Sequence, residues 1–217
     1  MTATISRGKV IGKRLTLSLA NYLFLLFWIL KPFYIRESGS MQPADFIFII
    51  SFLVWVFEKR GVISVDRREL PLLGFIAFTF IINGIYAAVY EDKWLLVSTL
   101  YYVYCFLVLL VVRDSMANRR FLKGLLWASA FNLIIQLLVL LAGLGNYMWH
   151  GYRFMGTFND PNQYAFSMFT SFLLVFILSS YMKEKEHNRK KAAVLIFFAL
   201  TAYFIIQGGS TGMLLGI

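Results

Sequence analysis

Seven apolar stretches separated by short polar connections set the terms on which this chain can fold. They run at about Leu15 to Phe33, Ala44 to Phe57, Pro71 to Tyr90, Trp94 to Val112, Phe121 to Leu144, Tyr164 to Tyr181 and Ala192 to Ile206. A helix rises 1.5 Å per residue, so roughly 20 apolar residues cross about 30 Å of hydrocarbon. Five of the runs approach or exceed that length. With 59% hydrophobic and only 15% charged residues, a soluble domain of 217 residues could not keep its surface wet. The bilayer is therefore the expected solvent. The expected fold is all-α, a polytopic transmembrane helical bundle of about seven spans in one membrane domain over residues 1–217, with Leu214 to Ile217 starting an eighth.

The second and seventh runs are short. Ala44 to Phe57 would cover only about 21 Å, so the bilayer must thin there or neighbouring helices must shield its flanks. Its ends nonetheless read as helix ends. Pro43 suits a first turn, Asp45 favours the positive end of the helix, and Lys59 and Arg60 can snorkel at the other end.

A net charge of +10 invites a nucleic-acid reading, but the positions of the charges argue for membrane topology. When loops are assigned alternately from a cytoplasmic N-terminus, 17 of the 21 basic residues fall inside, leaving Lys31, Arg36, Lys93 and Arg153 outside. The positive-inside rule then holds at every loop, with anionic membrane lipid as the expected partner and no nucleic acid. The basic N-terminal stretch precedes an apolar run that ends at Lys31-Pro32-Phe33-Tyr34 without a small-residue cleavage site, so it reads as an uncleaved first span. Cys105, the only cysteine, is expected to be a small buried hydrophobe within the fourth span.

The outer loop between the fifth and sixth runs concentrates the polar chemistry. Trp149 and Tyr152 suit the headgroup layer, and Asn159-Asp160-Pro161-Asn162 combines turn chemistry with a helix start, Asp160 as cap and Pro161 in the first turn. Capping accounts for Asn159, Asp160 and Asn162. It does not account for Arg153. An arginine beside a helix N-terminus with free N–H groups is a receptor for phosphate. At a separation of about 4 Å and an effective dielectric of about 20, each charge pair contributes on the order of 4 kcal/mol before desolvation.

The pattern Arg153-x-x-Gly156-x-Phe158-Asn159-Asp160-Pro161-Asn162-x-x-Ala165 resembles a signature segment of the O-antigen ligase and O-antigen polymerase superfamily, multispanning bacterial glycosyltransferases. Downstream, Gly209-Ser210-Thr211-Gly212 resembles that family's Gly-Ser-Arg-Gly stretch, while Ser38-Gly39-Ser40 through Asp45 is similar only loosely. The resemblance covers Tyr152 to Ile217. It implies glycosyl transfer at the outer face of the bacterial cytoplasmic (inner) membrane, with a glycan on undecaprenyl diphosphate as donor. The acceptor would be a second lipid-linked repeat unit (polymerase) or a lipid A core (ligase). It further implies substrate-binding roles for Arg153, Gly156, Asn159, Asp160, Asn162 and Ser210, no cofactor, no metal, and other polysaccharide-assembly proteins as partners. Thr211 stands where many members carry arginine, which favours a polymerase. Members continue through a large outer loop that carries further arginine and histidine residues, so the resemblance reads this chain as an N-terminal portion and leaves its catalytic residues unassigned.

Other polar residues carry weaker signals. Asn132 and Gln136 share one face of the fifth run, as interhelical glue or as the lining of a groove for a carrier lipid. Asn83-Gly84 suggests close helix packing, Glu91 and Asp92 read as a solvated turn, and His150 and His187 as solvated imidazoles. A lipid-linked oligosaccharide transporter is the main rival class, and a structural membrane subunit or an inactive fragment is a third reading. The only charged residues within the runs, Lys31, Asp45 and Lys123, lie near span ends, which counts against ion-coupled transport.

Overall fold

Helix ends in this chain are written by short polar side chains and by left-handed residues. Ser18 Oγ accepts from Asn21 N at 3.2 Å and opens α1, Leu19–Leu30. Gln42 N donates to Asp45 Oδ2 at 2.8 Å at the start of α2, Pro43–Glu58. Asn118 Oδ1 accepts from the amides of Arg120 and Phe121 and opens α5, Arg119–Leu141. Gly143, at φ +66°, ends α5 with paired bonds from Leu144 N to Val139 O and from Gly143 N to Leu140 O. Arg60 and Gly61, both at positive φ, end α2 in the same way.

The computed structural model describes residues 16–37, 40–148 and 153–181, with 199, 202, 203 and 206. Among them, α3 (Leu70–Tyr90) and α4 (Trp94–Ser115) complete the first part of the chain, and α6 (Pro161–Tyr181) follows α5. α1 packs along α2 and α5, α5 along α6, and α3 along α4, which also touches α2. A buried aromatic cluster of Phe24, Phe27, Phe48, Trp55, Phe106 and Phe121 ties α1, α2, α4 and α5 together. No α3 residue is fully buried: Leu73 and Ile76 pack partly against the core and Phe75 against Tyr102, while most of its other apolar residues are exposed.

The structure is helical, with four helices long and apolar enough to cross a membrane: Arg67–Tyr90, which includes a 3-10 turn at its start, then α4, α5 and α6. Four of the seven expected spans thus have full length. The first run yields a helix of only 12 residues, because Ser18 caps it late and Lys31-Pro32 turns the chain at its end. α2 has 16 residues, close to the expected short second run. α5 stops at Leu141 rather than Leu144, where Gly143 turns the backbone. The seventh run lies mostly outside the described residues, and the start of the eighth wholly so.

Interior polar groups stitch the helices together. Trp28 Nε1 donates to Ser129 Oγ at 3.0 Å and Asn132 Nδ2 to Trp28 O at 2.9 Å, joining α1 to α5. Ser51 Oγ donates to Ala20 O and Ser115 Oγ to Asn21 Oδ1. Asn132 is the interhelical link its position suggested. Asn83 Nδ2 reaches Thr99 Oγ1 at 2.8 Å, whereas a Cβ at Gly84 would meet open space, so Asn83 and not Gly84 makes the α3 to α4 contact. Cys105 is exposed on α4, not buried, because it falls one residue off the face that buries Phe106.

Candidate functional site

The segment from Arg153 to Phe158 alternates in burial: Phe154, Gly156 and Phe158 point inward, while Arg153, Met155 and Thr157 are half-exposed. That two-residue period is the mark of a strand with one packed face. β2 (Arg153–Gly156) pairs antiparallel with β1 (Asn146–Met148), setting Tyr147 opposite Phe154 and Met148 opposite Arg153. The all-α expectation thus gains a small hairpin in the connection between α5 and α6. Its signal in Arg153-Phe154-Met155-Gly156-Thr157-Phe158 is faint, because apolar Met155 falls on the outward face and Gly156 on the inward one.

Beneath the hairpin lies an aromatic floor. The Phe154 and Phe158 rings meet Tyr164 edge-on at 5.3 and 5.9 Å, and the Tyr34 ring packs on Phe158 at 5.1 Å. Gly156 closes β2 at φ +60°, and a Cβ there would collide with Gln136 Oε1 and the Tyr164 ring. Here glycine is demanded by both backbone conformation and space.

Thr157 joins this loop to two helices. Its hydroxyl donates to Pro32 O at 2.6 Å and accepts from Gln136 Nε2 at 2.6 Å, its N–H donates to Gln136 Oε1, and its carbonyl accepts from Tyr34 N at 3.1 Å. Gln136 therefore anchors the loop from within the bundle. It is neither helix-to-helix glue nor a groove lining.

The residues singled out in the sequence take distinct places. Asp160 Oδ1 accepts from Asn162 N at 2.7 Å and from Gln163 N at 3.0 Å, capping α6. Those amides are consequently engaged, so anion recognition at this helix start cannot rest on free N–H groups and falls to arginine. Arg153 Nη2 donates to Asn162 Oδ1 at 3.1 Å across the turn. Asn159 points away from both and donates from Nδ2 to Arg36 O at 2.5 Å. Arg153, Gly156, Asp160 and Asn162 thus lie in one loop, and Asn159 bridges it to the connection between α1 and α2. Ser210, with Thr211, His150, Trp149, Tyr152 and His187, lies outside the described residues.

That second connection was nearly silent in the sequence. Gln42, 1% exposed, accepts at Oε1 from the amides of Ile35 and Arg36 and donates from Nε2 to the carbonyls of Arg36, Glu37 and Ser40. One buried amide therefore organises the whole turn. Lys31 pairs with Asp45 at 2.5 Å, Tyr104 donates to the same Oδ1 at 2.8 Å, and the Lys31 ammonium lies 5.6 Å from the Tyr104 ring centroid. Burial, followed by the negative charge of Asp45 and then by Tyr101 and Asp160, pushes the Tyr34 phenol up to about 12. The usable signal was Gln42 directly before Pro43 and Asp45, a helix start that spends an uncommon residue at its cap.

Searches against protein families, curated proteins and solved structures found no match to this chain. Among the described residues no group of three His, Cys, Asp or Glu side chains could hold a metal ion. What the site offers chemically is guanidinium, amide and hydroxyl groups on a hydrogen-bonded loop pair over an aromatic floor. Such groups recognise phosphate and sugar hydroxyls.

Proposed function

We propose that this chain is a bacterial multi-pass inner-membrane protein of the O-antigen ligase and polymerase type, acting on undecaprenyl-diphosphate-linked glycans. In this reading it has seven spans and the beginning of an eighth, a cytoplasmic N-terminus, and the paired loops on the outer face. The reaction is polymerisation of O-antigen or exopolysaccharide repeat units. The acceptor hydroxyl oxygen bonds to the anomeric carbon, the bond from that carbon to the diphosphate oxygen breaks, undecaprenyl diphosphate departs, and the hydroxyl proton passes to water. Negative charge grows on the departing diphosphate, where an arginine fixed in place stabilises the transition state electrostatically.

The observation that carries this reading is the Arg153 guanidinium bonded to Asn162 on a loop braced by Thr157 and Gln136. The bond to a neutral side-chain amide orients the guanidinium without itself neutralising it, and bracing reduces the reorganisation needed at the moment of reaction. The clustering of Lys59, Arg60, Arg67, Arg68, Arg113, Arg119 and Arg120 at the other end of the helices supports the orientation.

The test is glycan length by gel in a strain lacking its own polymerase and ligase, complemented with the complete gene or its Arg153→Ala variant. The expected result is a restored ladder that Arg153→Ala abolishes. Single repeat units on lipid A core would instead indicate ligation. Neither product, with normal membrane insertion and a matched glycan, overturns the proposal.

A further inference from the structure

The one outer-face arginine besides Arg153 in this topology, Arg36, stands out neither by motif nor by spacing, yet the fold treats it unlike a solvated surface residue. Arg36 sits at the tip of the connection between α1 and α2 with its side chain exposed, and its backbone is fixed at both polar groups. Its N–H donates to Gln42 Oε1 at 3.0 Å, and its carbonyl accepts from both Gln42 Nε2 at 3.0 Å and Asn159 Nδ2 at 2.5 Å. Asn159 opens the turn whose Asn162 holds the Arg153 guanidinium. A continuous bonded path therefore runs from the Arg36 backbone through the Asn159–Asn162 turn to the Arg153 side chain.

Burying an amide side chain is costly unless all of its hydrogen bonds are made. Gln42 makes them all to the turn that carries Arg36, and so sets that turn rather than any helix contact. Nearby charges do not cancel the arginine. Asp45 is paired with Lys31, Asp160 is engaged on α6, and among the described residues Arg36 enters no ion pair, with Glu37 its nearest carboxylate in sequence. We propose that Arg36 and Arg153 are two contacts to one anionic ligand of the diphosphate class, held in register by Asn159. This inference rests on the proposed function above and adds a residue from a different loop to its substrate site. Arginines on two loops that Asn159 joins can supply one guanidinium to each phosphoryl group of a diphosphate, where a monophosphate offers only one.

The experiment measures binding to the full chain in lipid nanodiscs. The probes are undecaprenyl diphosphate, undecaprenyl monophosphate and inorganic pyrophosphate, against Arg36→Ala, Arg36→Lys, Arg153→Ala and, as a control from the turn between α3 and α4, Lys93→Ala. The expected result is a loss of diphosphate-lipid affinity of about tenfold or more for each arginine-to-alanine change. Arg36→Lys should recover part of it, the monophosphate lipid should show a smaller loss, and Lys93→Ala should bind as wild type. Competition by pyrophosphate would assign recognition to the free anion, and its failure to compete to the lipid-linked headgroup; both fit a diphosphate subsite. Loss for Arg153→Ala with wild-type binding for Arg36→Ala overturns this inference and leaves the function proposal standing. No diphosphate-lipid binding above empty nanodiscs, or wild-type binding by Arg153→Ala, overturns both.

Discussion

At the scale of single residues, Gly156 and Tyr34 show how tightly the two loops are fitted. Gly156→Ala places a methyl group against Gln136 Oε1 and the Tyr164 ring at a φ of +60°. Strain of this kind costs about 1–3 kcal/mol, so thermal unfolding in detergent should show a clearly lower melting temperature; an unchanged value would mean that the loop is not seated as described. Tyr34 carries a pH signature. Its phenol is raised from the ordinary 10.0 to about 12, so the folded state holds the proton more tightly than the unfolded state does. The stability gained from the neutral phenol is complete below about pH 10 and is lost as pH rises through about 12. Tyr34→Phe keeps the ring on Phe158 but has no proton to lose. Its melting temperature should therefore fall less than wild type between pH 10 and 12, and parallel pH profiles would contradict the assignment. Residue identity announced some of this site and hid the rest. Asp160 and Pro161 declare a helix start in one dimension. Thr157 and Gln136, 21 residues apart, reveal their bond only once the chain has folded back.

At the scale of elements, the ion pairs at the two ends of the bundle differ in kind. Lys31 and Asp45 are 31% and 10% exposed and share their site with the Tyr104 hydroxyl, whereas Lys59 and Asp114 are 42% and 31% exposed. Removing one partner of a mostly buried pair leaves an uncompensated charge and costs about 3 kcal/mol or more, while a half-exposed pair contributes about 1 kcal/mol or less. Asp45→Ala should therefore destabilise the protein much more than Lys59→Ala, as read by denaturant titration of helical signal. Equal losses would show that Asp45 is not the joint between α1, α2 and α4. Apolar run length predicted α3, α4, α5 and α6 closely, because a membrane-length helix is a local property of composition. It overestimated α1, whose length is set by Ser18 and Pro32. It missed the hairpin, whose four-residue strand β2 lies inside a segment dominated by turn residues.

At the scale of the whole molecule, the helices bring the connection between α1 and α2 beside the connection between α5 and α6, more than a hundred residues away along the chain. No sequence pattern marks that meeting. It follows from α1 packing between α2 and α5, which puts the end of α1 beside Thr157 and Phe158, late in that second connection. The proposed chemistry depends on it, since a diphosphate subsite drawn from two loops exists only if those loops meet, and meet outside the membrane. Paired cysteines test both conditions together. In a Cys105→Ser background, which removes the only native thiol, Arg36→Cys and Asn159→Cys are introduced together. Intact cells are treated with a membrane-impermeant maleimide, and separate membranes are gently oxidised before their remaining thiols are counted by mass-tagging. The expected result is that both cysteines label from outside in intact cells and that oxidation removes both thiols through an intramolecular disulfide. Labelling only after the membrane is opened, or two thiols surviving oxidation, would contradict the outer two-loop site.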